Sequence, residues 1–552
     1  MPKVRSCVLV VSLLFLGVNA SVNAQRSAID TYAITNARIV TVSGPVIERG
    51  TVVIRNGLIA AAGANVNAPP DARVIDGKGL TVYPGLIDSY TNLALPDAAP
   101  SPSPGGGGGR GFATTQQRQT GGPNSTQPAG LQPEVMVEDT IRAGGNDVES
   151  SRNAGITTAL TSPRTGIWMG QSALINLAGE TPQQMIVRSP VAMHVDFTPL
   201  RGGTYPGSLM GVFSTLRQMM LDAQRYREAM QIYERAPRGM RRPEIDRSLA
   251  ALIPVIEGKM PVVMLADTER EITRALDLAA EFKLRLIIAG GREAERLADR
   301  LVKQDVPVLL SLNLPRRTTT ALPEADPEPL RVLRERVEAQ QTAGKLAKAG
   351  VRFAFQSGAM TNISELMTNA GKTIENGLQA ADAVRAFTIW PAEILGVQNQ
   401  VGSIEVGKIA NLTVTRGDLF ERNTRVAHVF IDGQPVDLRP SGGAGPARGN
   451  LSGAWSVNVD LGQREQTITL TLQQERDRLT GSIAGSLGAG EISNGSISNT
   501  GEMRFTVSVN VDGQTKEATF TGRLANNELS GNVTIVGLAP GTFTATRSGR
   551  PD

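Results

Sequence analysis

The stretch Val74-Ile-Asp-Gly-Lys-Gly-Leu-Thr-Val-Tyr-Pro-Gly-Leu-Ile-Asp-Ser89 decides the fold, because two kinds of sequence meet in it. Residues 31–83 consist of short β-branched runs, and Asn56-Gly57 between two of them is a strong hairpin signal. Similar runs, with the turn Asp432-Gly433, return far downstream. Two separated segments of this kind predict one composite β-sandwich, built from residues 31–83 and 405–438 around an inserted domain.

Residues 84–404 alternate short apolar runs with helical segments. The apolar runs are residues 155–160, 262–265, 284–288, 306–312 and 352–355. The helical segments between them include residues 269–282, 292–303 and 330–349. Such alternation predicts βα units and a parallel sheet, most simply a (β/α)8 TIM-like barrel.

The low-complexity segments mark an insertion and a linker. Residues 97–130 contain five consecutive glycines, and such a tract buries too little apolar surface to fold, so a disordered insertion is predicted there. Residues 439–450 form a linker. Beyond it, residues 451–550 show about eight strand-like runs at the regular spacing of all-β domains. They predict a closed antiparallel β-barrel rather than a sandwich.

The N-terminal residues predict the compartment. Lys3 and Arg5 precede a short apolar run that ends in small residues, which predicts a signal peptide (residues 1–24) cleaved near Ala24 and a secreted or periplasmic protein. The one cysteine, Cys7, lies inside that signal, so the mature chain has no disulfide or thiolate. No later stretch is long and apolar enough for a membrane span. The whole chain has 56 basic and 52 acidic residues, and this near balance does not favour nucleic-acid binding.

The stretch from Val74 to Ser89 resembles the strand by which members of the amidohydrolase superfamily, in particular its imidazolonepropionase-like branch, begin their barrel. Residues 383–396 and 402–412 are similar to the last barrel helix of that family and its return to the sandwich. The resemblance implies an α/β fold with the barrel inserted in a composite sandwich. It also implies hydrolysis of C–N bonds in cyclic amides, peptides or related substrates. In the family, zinc or another divalent ion activates a water for this reaction.

The family's metal-binding positions are degenerate in this chain. The His-X-His pair that follows Pro-Gly-Leu-Ile-Asp corresponds to Tyr90 and Asn92, and a neutral phenol and an amide are poor zinc ligands. The histidines of barrel strands 5 and 6 correspond to Leu265 and Ala289, and the aspartate of strand 8 corresponds to Gly358. We therefore expect no catalytic residues, no bound metal and no other cofactor, where the family alone would imply zinc.

Other side chains at the barrel mouth leave a second possibility open. The residues expected to line the mouth are Tyr90, Asn92, His194, Asp267, Arg292, Gln356 and Ser357. Ser357 replaces Gly358 as the counterpart of the aspartate if the alignment shifts by one residue. Asp267, Glu293 and Asn92 offer an oxygen-only set that suits magnesium or calcium better than zinc, although nothing in their spacing requires it.

The two histidines, His194 and His428, do not make a hydrolase site by their positions. His428 lies in a predicted sandwich strand remote from the mouth. His194 follows an apolar pair, and a packed or hydrogen-bonded histidine is favoured there over a substrate contact or a ligand. No Gly-X-Ser-X-Gly sequence is present, which argues against a serine nucleophile.

The C-terminal region has a resemblance of its own. Gly453-Ala-Trp455 opens its first predicted strand, and Arg547 lies in its last. This resembles the lipocalin-like (calycin) pattern, in which an arginine of the final strand packs across the first-strand tryptophan. A generic barrel with one plugging tryptophan explains the same residues equally well. Such a barrel either binds a small apolar ligand or is filled by its own side chains.

The preferred function is that of a metal-free, non-catalytic binding or partner protein. Its expected partners are an active amidohydrolase relative or further copies of itself, with a small-molecule or peptide ligand possible. Two alternatives stay open. One is an active C–N hydrolase with an unusual, oxygen-rich ligand set. The other is a scaffold whose C-terminal barrel binds a small ligand.

Overall fold

The structure of the protein is a computed structural model that divides the chain into two compact units, Met1–Asp437 and Leu438–Asp552. The described residues are 31–96, 127–200, 205–315, 328–358, 360, 362–421, 424–438, 451–460, 465–475, 478–485, 488–497, 502–511, 514–525, 528–535 and 541–547. The predicted signal peptide, the predicted linker (residues 439–450) and residues 97–126 of the predicted insertion lie outside them.

The first unit contains eighteen of the described strands and all ten described α-helices. Its strands are β1 (Thr31–Ile39), β2 (Ile47–Arg55), β3 (Leu58–Gly63), β4 (Arg73–Asp76), β5 (Leu80–Pro84), β6 (Leu86–Thr91), β7 (Ile156–Thr161), β8 (Trp168–Gln171), β9 (Ala173–Asn176), β10 (Ile186–Arg188), β11 (Met193–Asp196), β12 (Val262–Ala266), β13 (Leu286–Gly290), β14 (Val308–Ser311), β15 (Phe353–Gln356), β16 (Leu412–Arg416), β17 (Arg425–Ile431) and β18 (Gln434–Val436). Its helices are α1 (Asn146–Asn153), α2 (Pro182–Met185), α3 (Leu209–Arg235), α4 (Arg247–Ile256), α5 (Glu269–Phe282), α6 (Ala298–Lys303), α7 (Leu330–Ala349), α8 (Glu365–Glu375), α9 (Ala380–Phe387) and α10 (Ile389–Ile394).

One sheet joins the two β segments that flank the barrel. Its strands run in the order β18-β17-β16-β5-β1-β2-β3, with β4 paired to β1. The join is made by β5, which is parallel to β1 and antiparallel to β16. Both segments contribute to one buried cluster that includes Ile34, Ile54, Val414 and Phe430. Residues of both segments therefore belong to one eight-stranded sheet rather than to two separate sheets.

Tight turns fix the register of this sheet. Asn56 and Gly57 have φ values of 51° and 78°, and Asp432 and Gly433 have values of 50° and 75°. Positive φ at both central residues suits the right-handed twist of a two-residue hairpin. Gly85 then lets the chain pass from β5 into β6, because a Cβ there would lie 2.2 Å from Thr157 Oγ1.

The inserted domain is the predicted eight-position barrel. Strands β11 to β15 form consecutive parallel pairs, and β6 is parallel to β7. The third barrel strand consists of two short strands, β8 and β9, which are separated in the chain by Ser172 alone. These two strands link the sheet β10-β9-β7-β6 to the sheet β15-β14-β13-β12-β11-β8. The (β/α)8-type fold class is confirmed in its strand count and in the helices that follow strands 4 to 8.

The third barrel strand departs from the regular βα pattern. β9 is antiparallel to β7, and β8 is antiparallel to β11. The reason is the short connection between β7 and β8, residues 162–167. A parallel crossover needs a dozen or more residues, so this connection can only reverse the chain.

The second unit is a closed antiparallel barrel of eight strands in sequence order, which confirms the predicted C-terminal architecture. Its strands are β19 (Gly453–Asp460), β20 (Glu465–Glu475), β21 (Arg478–Gly485), β22 (Gly488–Ile497), β23 (Glu502–Val511), β24 (Gln514–Ala525), β25 (Glu528–Ile535) and β26 (Gly541–Arg547). A continuous cluster of buried side chains, including Trp455, Phe505 and Phe520, forms its core.

Candidate functional site

The mouth of the inserted barrel begins where β6 meets β15, and side-chain hydrogen bonds close the barrel there. The carboxylate of Asp88 accepts bonds from the Ser357 backbone N–H (2.9 Å) and from the Ser357 hydroxyl (2.5 Å). Ser89 Oγ donates to the Phe355 carbonyl at 2.7 Å, and the Gly358 N–H donates to the Tyr90 carbonyl at 3.1 Å. Asp88 is fully buried, and burial raises its pKa to about 6.

Tyr90, the first degenerate ligand position, extends into the barrel interior. Only 8% of the residue is exposed, and its ring centroid lies 5.6 Å from that of His194 on β11. It belongs to a buried cluster that also contains Val263 and Ala289, with Leu265 packed against it. Burial raises the pKa of Tyr90 to about 12, so the phenol is neutral at ordinary pH. The tyrosine therefore fills space that the family's first metal-binding pair would border.

His194 is a packed histidine, as the sequence favoured. The residue is 0% exposed, and neither ring nitrogen has a hydrogen-bond partner in the described part of the structure. Burial lowers its pKa to about 3, so the ring is neutral. His428, by contrast, lies on β17 of the composite sheet, half-buried, and burial lowers its pKa as well.

The remaining degenerate positions offer no substitute ligand. Leu265 and Ala289 are register partners on β12 and β13. Asn92 uses its amide N–H to donate to the Ser162 carbonyl at 2.8 Å. At Gly358, whose φ is +45°, a Cβ would lie 2.3 Å from Gln356 Oε1, so an aspartate there would require Gln356 to move.

The carboxylates of the oxygen-only set are already engaged by other groups. Asp267 Oδ2 pairs with Arg292 at 3.0 Å. Glu293 pairs with Arg296 at 3.2 Å, and its other oxygen accepts the Glu269 backbone N–H at 2.8 Å. Within the described ranges, no three side chains of the His, Cys, Asp or Glu type come together as a metal-binding group. The donor set at this mouth does not fit the divalent ions of the family.

Sequence reasoning gave no role to three groups that the structure places at the mouth. Asp88 lies inside the Val74–Ser89 motif, but its hydrogen bond to Ser357 joins residues far apart in the chain. Ser162 accepts from Asn92 and contacts the Tyr90 hydroxyl. Asp196, on β11, lies close enough to Tyr90 to raise its pKa further. Only the Asp88 position had a signal in the sequence, since it belongs to that motif.

Comparisons with known proteins show what this chain is similar to. The profile of the Amidohydrolase family matches residues 314–436. An imidazolonepropionase of Porphyromonas gingivalis is 26% identical over 401 residues, which cover 68% of this chain and 84% of that protein. These matches support the amidohydrolase superfamily as the family that this chain resembles. An enamidase of Eubacterium barkeri is 39% identical over a short stretch of 61 residues, 11% of this chain and 16% of the enamidase.

A solved structure shares the fold of this chain. The crystal structure of an amidohydrolase from Thermotoga maritima matches 74% of this chain and 100% of its own chain, with a TM-score of 0.60 and 23% identity. Fold alone does not transfer an activity, because activity resides in the side chains of the site. In this chain the residues predicted for those positions are Tyr90, Asn92, Leu265, Ala289 and Gly358.

Proposed function

We propose that this protein is a metal-free amidohydrolase-family member that does not hydrolyse C–N bonds and serves as a secreted or periplasmic binding or partner protein. The observation that carries the proposal is the buried ring of Tyr90 beside His194 in the barrel interior. An apolar, filled interior supports a folding role for these side chains. The five degenerate ligand positions themselves carry no charge with which to retain a dication.

The chemistry of the lining supports the same conclusion. Metal-assisted hydrolysis needs anionic or imidazole ligands that hold an ion and lower the pKa of its water. Tyr90 keeps its proton at neutral pH, and Leu265 and Ala289 have no lone pair to offer. His194 has free nitrogens, but one imidazole is far short of the three or four protein ligands of a zinc site.

The partner and the location belong to this proposal as well. We propose an active amidohydrolase relative or further copies of this chain as partner, with a small molecule or a peptide as possible ligand. No helix of the described residues has the length and apolarity to cross a bilayer. Light scattering of the purified protein, alone and mixed with an active relative, measures whether such an assembly forms.

Metal analysis tests the proposal directly. Protein purified without chelators should contain well under one equivalent of zinc, manganese or nickel. Added zinc should leave the melting temperature unchanged. A ligand bound only by the folded state, at a hundredfold above its dissociation constant, stabilises by about 2.7 kcal/mol, so real binding would be visible. Stoichiometric metal, together with hydrolysis of a dipeptide or a cyclic amide, would overturn the proposal in favour of an enzyme with unusual ligands.

A variant that restores the first ligand pair is the matched control. Tyr90→His with Asn92→His returns the family's His-X-His, yet strands 5, 6 and 8 still offer Leu265, Ala289 and Gly358. We expect this double variant to gain neither tight zinc binding nor hydrolysis. If it gained both, the loss of activity would reside in two residues rather than in the whole site.

A specific observation favours a second candidate, the C-terminal barrel as the binding module. The guanidinium of Arg547 lies 4.9 Å from the ring centroid of Trp455, which is the contact that the lipocalin-like pattern implies. The buried cluster inside the barrel supports a filled interior instead. Titration with a fluorescent fatty acid distinguishes the two, because a filled barrel should show no saturable binding.

A further inference from the structure

A cavity of about 520 Å³ lies between the composite sheet and helices α8 and α9. Its volume falls within the range of small-molecule sites, about 300–1,000 Å³. Tyr83, which lines it, lies near the end of β5, three residues before β6 begins at Leu86, and Glu375 lies in the last turn of α8, which returns from the mouth. The cavity is therefore at the end of the barrel opposite Tyr90 and His194. It is independent of the function proposed for the mouth.

Most of the cavity wall is apolar. The apolar side chains that line it include Val40, Val42, Ile374, Val384, Leu419 and Phe420. Val42 has a φ of +68°, a region that a β-branched residue enters only at a steric cost. Thr41 holds this turn, because its hydroxyl accepts from the Gly44 N–H at 3.1 Å and donates to the Pro45 carbonyl at 3.2 Å. The fold thus maintains a strained residue at this wall, as often occurs at binding sites.

The wall around Leu419 is fixed in position before any ligand arrives. The hydroxyl of Tyr83 accepts from the Leu419 N–H at 3.3 Å and donates to Asp418 at 3.5 Å. Arg38 pairs with Asp418 at 3.0 Å on the same side. Fixed walls reduce the entropy that binding would otherwise cost.

The charge at the rim of the cavity is negative. Both lining arginines already have carboxylate partners, Arg38 in Asp418 and Arg385 in Asp382 (3.2 Å). The lining carboxylates Glu375 and Glu421 have no basic partner among the described residues, and both are exposed. A positively charged group on a ligand would neutralise these two carboxylates, because the lining arginines are already paired with other carboxylates.

We propose that this cavity binds a small amphiphilic cation, with its apolar body on the Val42–Phe420 wall and a protonated amine at Glu375 and Glu421. The apolar wall supplies most of the affinity. The two carboxylates supply the preference for positive charge, which weakens as salt rises because both groups are exposed.

A matched series of probes tests this on the full-length protein by isothermal titration calorimetry. The probes are 4-phenylbutylamine, 4-phenylbutanol and 4-phenylbutyrate, which share one apolar body and differ in charge. We expect the amine to bind most tightly, the alcohol more weakly and the carboxylate least. Equal binding of amine and carboxylate would overturn the charge preference, and no saturable binding of the amine at millimolar concentration would overturn the site.

Three variants locate the binding. Ala381→Trp places a large side chain in the cavity from an exposed position on α9 and should abolish binding of the amine. Glu375→Gln with Glu421→Gln should weaken the amine about tenfold and leave the alcohol unchanged, as two exposed charges of modest strength imply. Glu228→Gln, an exposed carboxylate on α3, is the control and should have no effect. Amine binding that survives in Ala381→Trp would show that the amine binds elsewhere.

Discussion

The pH dependence of stability should reveal the buried, neutral state of His194, and His194→Leu is the variant that removes it. In the folded protein the pKa of His194 is lowered to about 3 from 6.5. The unfolded chain therefore takes up a proton below pH 6.5 that the folded chain refuses. The contribution of this group to stability is fully present above pH 6.5 and is lost progressively as the pH falls towards 3.

The magnitude follows from that difference. Each pH unit in which only the unfolded state binds the proton costs about 1.36 kcal/mol, so from pH 8 to pH 5 His194 removes about 2 kcal/mol of stability. Asp88 acts in the opposite direction, because its pKa is raised to about 6 from 3.8 and its contribution is lost as the pH rises through 6. Over the same interval Asp88 favours pH 5 by about 1.4 kcal/mol.

The two effects separate when variant and wild type are compared at both pH values. In wild type they nearly cancel, so the free energy of unfolding should be only slightly lower at pH 5 than at pH 8. In His194→Leu the larger histidine effect is removed and the Asp88 effect exceeds the smaller one of His428, so the variant should be more stable at pH 5 than at pH 8. At pH 8 the variant should be at least as stable as wild type, because neither nitrogen of His194 has a hydrogen bond to lose.

Urea denaturation followed by circular dichroism at 222 nm is the assay. All the described α-helices lie in the first unit, so this signal reports on the domain that contains His194. His428→Gln is the control, since this half-buried histidine should contribute with the same sign and a smaller size. If His194→Leu keeps the wild-type pH dependence, the folded protein protonates His194 normally, and the filled-interior reasoning fails.

Two further predictions concern one contact in each unit. Ser357→Ala removes the hydroxyl that donates to buried Asp88, so it should lower the free energy of unfolding by about 2 kcal/mol at pH 8 and by less at pH 5, where Asp88 is protonated. An equal loss at both pH values in urea denaturation would contradict the charge argument. Arg547→Met removes the cation over Trp455 and should destabilise the second unit by about 1 kcal/mol. The urea transition followed at 222 nm should not shift, and a shift would mean that the two units unfold together.

The order of the elements and many of their boundaries could be predicted from the sequence, because local signals set them. Helix α5 spans the predicted residues 269–282, since Thr268 and Glu271 form a capping box at its start and Lys283 takes a left-handed conformation at its end. Helix α7 likewise spans residues 330–349, with Gly350 in the left-handed region. The reversal of the third barrel strand escaped prediction, because strand direction depends on pairing partners that are distant in the chain.

For the candidate site, the sequence by itself determined which chemical groups are missing. The residues at five ligand positions are fixed by the family motif and by the strand ends, whatever their environment. Only the tertiary structure decided what those residues do. The packing of Tyr90 on His194 and the bond between Asp88 and Ser357 join strands more than a hundred residues apart, and the pKa values of Tyr90 and Asp88 depend on the burial that results. Burial and long-range contact are properties of the folded chain, and no local pattern encodes them.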